Sequence, residues 1–203
     1  KGRDALAEFK VFNLIRARLS EDGNKLDLSN LGIGDVECKC IAECEDLKDL
    51  THLYLELNKI TDKGIAHLAS SEYLKNVTLL SLDRNKIGDE GFIHIVKSES
   101  LQNIQVLMVE NAGITDKGIN AICEEECMKS LLRLYIEEND TTEEGLELLA
   151  EPEHLQQLEY PEFDREEEIE EEEEEEEEFE DVEDIEEIEE EEDLGDETEY
   201  EKE

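Results

Sequence analysis

"LYLELNKITDKGIAHLA", residues 53–69, changes period partway through. Leu53 and Leu55 stand two apart, the spacing of one strand face, whereas Ile65, Leu68 and Ala69 follow the three-and-four spacing of a helix. The turn between them has its own chemistry. Thr61 or Asp62 can cap the free amides of the coming helix, with the acid at the positive end of its dipole. Asn58, just past the strand, can bond backbone groups left unpaired as the chain turns. The stretch reads as strand, turn and helix.

The same phrase returns as "NKIGDEGFIHI" from Asn85 and "AGITDKGINAI" from Ala112, a period of 27 residues. Leu26, Leu53, Leu80, Leu107 and Leu134 mark one strand position, and Leu28, Leu55, Leu82, Val109 and Ile136 the next. Ile33, Ile60, Ile87 and Ile114 mark the turn, and Ile41, Leu68, Ile95, Ile122 and Leu149 the helix. Gly64, Gly91, Gly118 and Gly145 also recur, which predicts close backbone approach where helix packs on strand. A single unit cannot bury its apolar face. Five stacked units can, with a parallel sheet on a concave side and helices outside.

These residues resemble the leucine-rich repeats of the ribonuclease-inhibitor-like subfamily over roughly residues 4–160. The resemblance implies an α/β horseshoe of about five units. Leu31 and Ala112 depart from its asparagine position, so the turn bonding there is open. Residues 1–22 read as the helix of a partial preceding repeat or an N-terminal cap, because Val11 and Leu14 fall in register with Cys38 and Ile41. Residues 23–160 hold the repeats. Pro161 then stands where the next strand leucine belongs and cannot donate to a ladder, so residues 161–203 are expected to form a separate acidic, low-complexity tail.

The charge is unevenly placed. The 203 residues carry 62 acids against 19 Lys and Arg, a net charge of -43, and 30 of the acids fall in residues 162–203 beside only Arg165 and Lys202. Such a run repels itself and is expected to be disordered or transiently helical. Phe179, Val182, Ile185 and Ile188 would form a loose stripe on a helix, able to dock on a partner. The polyanion repels nucleic-acid phosphates and anionic lipid surfaces and attracts basic proteins, so neither direct nucleic-acid binding nor membrane association is expected. No apolar run is long enough for a bilayer span, and residues 1–20 scatter charges where a signal peptide needs an apolar core. An odd five cysteines suit a reducing compartment. The expected location is the cytoplasm or nucleus.

No phosphate-cradling glycine loop, HExxH, GxSxG or paired CxxC is present, so no catalytic residue, metal ligand or cofactor is assigned. Cys40, His67 and His94 share one helix position. Helices about 8–10 Å apart cannot bring them within about 2.0–2.3 Å of one zinc ion, and they read as a surface stripe. Cys40 with Cys44, and Cys123 with Cys127, read as packing residues.

Positions between the core leucines point to the concave face as columns: Ser29, Glu56, Asp83, Glu110, Glu137; Asp27, Tyr54, Ser81, Met108, Tyr135; and Asn30, Leu57, Arg84, Asn111, Glu138. Strands about 4.8 Å apart put four carboxylates in one unneutralised row, a cost that a basic partner relieves. Aromatic and flexible apolar side chains beside the row are of the kind found at binding hot spots. The candidate partner-binding set is therefore Tyr54, Glu56, Asp83, Arg84, Met108, Glu110, Tyr135 and Glu137. The competing reading is an acidic protein that shows acids everywhere. A flat row lacks the oxygen cage of a calcium site.

The expected function is a non-enzymatic scaffold that captures a basic protein or segment, such as a histone-like one, on the concave face and tail. The acidic nuclear phosphoproteins, which bind histones, share the layout of repeats and glutamate tail but have shorter repeats. The alternative rests on the layout's resemblance to the C-terminal part of Ran GTPase-activating proteins. That resemblance implies a small GTPase as partner and faster GTP hydrolysis. None of that family's catalytically important residues is matched here, and Arg84 alone does not make an arginine finger.

Overall fold

The computed structural model describes residues 2–124 and 128–158, with side chains from residue 8 onward. Pro161, the acidic tail and Cys127 lie outside the described residues, and so do the expectations placed on them. All described residues belong to the unit Lys1–Pro161.

Five three-residue strands, β1 (Lys25–Asp27), β2 (His52–Tyr54), β3 (Leu79–Ser81), β4 (Val106–Met108) and β5 (Arg133–Tyr135), form one parallel sheet in chain order. Every register pair is 27 residues apart, from Leu26↔Leu53 to Leu107↔Leu134. The helices are α1 (Gly2–Arg18), α2 (Asp35–Ala42), α3 (Asp62–Ala69), α4 (Gly88–Val96), α5 (Asp116–Glu124) and α6 (Glu143–Glu147), each packed on the next. One side of the sheet packs its leucines against the turn isoleucines and the helix residues Ile41, Leu68, Ile95, Ile122 and Leu149 in one continuous core. Repeated strand, turn and helix units in 27-residue register are what the spacing predicts, and the stack follows them.

Asparagine stitches the units together. The Asn58 amide donates to the Leu28 and Leu55 carbonyls, and its oxygen accepts from the Leu31 and Ile33 amides, joining the first two units. Asn85 does the same between Ile60, Leu55 and Leu82, and Asn139 between Ala112, Ile114, Val109 and Ile136. At the two departures the backbone changes instead. Leu31 is followed by Gly32 at φ 65° and Ala112 by Gly113 at φ 77°, a conformation that glycine adopts without a Cβ clash. Beside Ala112 the donor direction reverses. Elsewhere the later unit donates, as Lys59 N–H does to Ile33 O and Lys86 N–H to Ile60 O, whereas here Gly88 N–H of the earlier unit donates to Ala112 O.

Capping differs from the expectation in one respect. Thr61 accepts from the Lys63 amide within its own helix, but the helix-start aspartate serves the next unit. Asp35 accepts from Thr61 N, Thr61 Oγ1 and Gly64 N; Asp89 accepts from Thr115 N, Thr115 Oγ1 and Gly118 N. Parallel helices place their N-termini side by side, so a carboxylate at one start reaches the free amides of its neighbour. The recurrent glycine makes room for this contact. A Cβ on Gly118 would lie 2.7 Å from Ile114 Cγ2 and 3.1 Å from Asp89 Oδ1. The close approach is therefore to the neighbouring helix start and the unit's own turn isoleucine, where the spacing suggested the strand.

At the N-terminal end, α1 is 17 residues long against 8 for α2. Val11 and Ile15 are buried while Leu14 is only partly so, and Leu19 pairs antiparallel with Leu26. The helix therefore does not repeat the geometry of α2, although Val11 holds the position of Cys38.

Candidate functional site

The other side of the sheet presents the predicted columns. Tyr54, Ser81, Met108 and Tyr135 are register partners on consecutive strands. Ser81 is fully buried between its partners, and Tyr54, Met108 and Tyr135 are partly exposed. One step beyond the second core leucine lie Glu56, Asp83, Glu110 and Glu137, all partly exposed, and one step further Arg84 is exposed. All eight candidate residues thus occupy one face of the sheet.

The row is more structured than its sequence suggests. The Ser81 hydroxyl donates to Glu56 Oε1 at 2.8 Å, and the Glu110 amide donates to Asp83 Oδ1 at 2.7 Å. Glu137 Oε2 is buried with no hydrogen-bond partner. Asp83 is the one aspartate among glutamates. Its shorter side chain keeps the carboxylate near the backbone, where burial pushes its pKa up to about 6, aided by the charges of Glu110 and Glu56 and opposed by the Glu110 amide and Arg84.

Asn30, Leu57, Arg84, Asn111 and Glu138 share one position and all stand at φ between 48° and 55°. The chain leaves the sheet there through a left-handed residue. Asparagine at positions 30 and 111 is the signal that could have shown it, because asparagine tolerates that conformation best among residues with a side chain. Leu57 carries no such tolerance and is 47% exposed, an apolar side chain standing beside Glu56 and one position before the row's edge.

Elsewhere the described thiols Cys38, Cys40, Cys44 and Cys123 are unbridged, and burial raises the pKa of each, so they are neutral packing groups at neutral pH. Among the described residues no group of three or more His, Cys, Asp or Glu could hold a metal ion, and no helix is long and apolar enough to cross a membrane.

A family model described as Leucine Rich repeat matches residues 47–69 and 73–95, which span β2, α3, β3 and most of α4. Among solved structures, internalin C2 of Listeria monocytogenes shares 25% identity over 66% of this chain and 49% of its own, with a TM-score of 0.47. A second internalin of that organism, internalin F, shares 19% identity over 62% of this chain and 37% of its own, with a TM-score of 0.37. The chain spans about half the length of the first and less of the second. No curated protein matches it. The fold is a leucine-rich repeat solenoid, an architecture that generally serves as a protein-binding scaffold.

Proposed function

We propose that the chain is a non-enzymatic protein-binding module that takes a basic segment on the open face of its sheet, with Glu56, Asp83, Glu110 and Glu137 meeting its cationic side chains and Tyr54, Met108 and Tyr135 packing against its aliphatic stems. The observation that carries this reading is Asp83, whose carboxyl is held at about 6 by burial and by Glu110 and Glu56. A positive side chain set on the row removes that penalty and so binds with the energy the fold has stored there. The resemblance to the ribonuclease-inhibitor-like subfamily supports a sheet face as the docking surface. The acidic residues of 162–203 add long-range attraction for the same class of partner.

The test compares the full chain with an E56Q/D83N/E110Q/E137Q variant. Each is titrated with a core histone mixture and with GTP-loaded Ran across a salt series. Histone affinity that falls with salt, and falls by at least about tenfold in the variant, is the expected result. Equal affinity in both proteins assigns the attraction to residues 162–203 and removes the sheet face as a site. Binding to Ran with faster GTP hydrolysis would replace this reading by the GTPase-activating one.

A further inference from the structure

The row is graded in depth. Glu56 and Glu110 are one methylene longer than Asp83 and flank it on β2 and β4, so an approaching cation meets the glutamates first and the aspartate beneath them. Every fixed contact of Asp83 is accounted for: the Glu110 amide at Oδ1, the carboxylates of Glu56 and Glu110 on either side, and Arg84 following it in the chain. Glu56 is itself held toward β3 by the Ser81 hydroxyl, which keeps its charge beside Asp83.

Three carboxylates on adjacent strands about 4.8 Å apart, the central one against the sheet, form a cluster in which the middle member is the easiest to protonate. We propose that this face is proton-gated: with the face empty in mildly acidic solution Asp83 keeps its proton, and a basic segment settling on Glu56 and Glu110 expels it to solvent, so that affinity rises with pH. The inference rests on the proposed basic-partner reading for its ligand, although the protonation itself needs no partner. The cation on the row does the work of the missing counter-charge. It favours the ionised form and lowers the midpoint of Asp83, which places the linkage in the window just below about 6.

The experiment uses the full chain with carbon-13-labelled aspartate. The Asp83 carboxyl resonance is identified by its loss in D83N and followed from pH 3.5 to 8, first alone and then with an octapeptide of alternating lysine and glycine. The free protein is expected to show a midpoint near 6, moved downward by the peptide. Wild-type affinity should rise between pH 5.0 and 7.5 by about tenfold for each unit of that movement, and D83N should lose this component of the rise. D83N retains every histidine, so any pH dependence they bring is common to both proteins. A free midpoint near 4, or a midpoint near 6 that bound peptide leaves in place, overturns the gating. A peptide held equally by the E56Q/D83N/E110Q/E137Q variant overturns the basic-partner reading instead, whatever the midpoint.

Discussion

Asn85 is 4% exposed and serves three buried backbone groups in two units through one amide. Alanine there strands the Ile60 amide and the Leu55 and Leu82 carbonyls away from water. Each orphaned group costs on the order of 1 kcal/mol or more, so N85A is expected to lose about 3 kcal/mol in urea unfolding. Retention within about 0.5 kcal/mol of wild type would show that the stitching is dispensable. Leu57 predicts the opposite sign. Its φ of 53° suits asparagine, the residue already used at positions 30 and 111, and its side chain is half out in solvent. L57N should therefore raise stability by roughly 0.5–1 kcal/mol, read as a higher urea midpoint at unchanged slope. If Leu57 also contacts the partner, the same variant binds the basic peptide less well, which separates its two roles.

Between elements, the helix-start aspartates form a relay that is broken once. Asp89 accepts three hydrogen bonds from the start of α5, whereas the residue that would answer Asp62 is Gly88, which has no hydroxyl. D89A should cost about 2 kcal/mol and D62A about 0.5 kcal/mol, the latter for its own helix dipole alone. Equal costs in thermal unfolding would refute cross-unit capping. The recurrent glycine gives a companion test. Alanine is the better helix former by about 1 kcal/mol, yet G118A must push Ile114 aside and is expected to be net destabilising by about 1–2 kcal/mol. The relay also marks where sequence reading stops. An uninterrupted 27-residue period names the neighbour of every strand residue, so sheet order and core were legible from leucines alone. Which helix Asp35 caps was not, because its acceptors' donors lie 26 and 29 residues downstream and nothing beside Asp35 distinguishes them.

For the whole stack, the columns of the open face were legible for the same reason, but the energetic inequality among its four acids was not. It depends on aspartate being one methylene short, on the amide of Glu110 across the strand, and on the burial of Ser81 between Tyr54 and Met108. This inequality ties global stability to pH. The Asp83 carboxyl titrates at about 6 in the fold against an ordinary 3.8, so between those values the folded chain binds more protons than the unfolded one. Stability therefore falls as pH rises through this window, and the penalty is complete above about 6. D83N removes the charge while keeping an oxygen for the Glu110 amide. It should stabilise the chain at pH 7.5 by an amount on the order of 1 kcal/mol, once solvent screening of a partly exposed group is allowed for. The gap from wild type should close steadily as pH falls toward 4, where Asp83 is neutral in both folded and unfolded chains. Urea unfolding of the two proteins at half-unit pH steps measures that gap directly. A gap that is flat with pH would mean that the gain comes from packing and that the row stores no electrostatic strain for a partner to release.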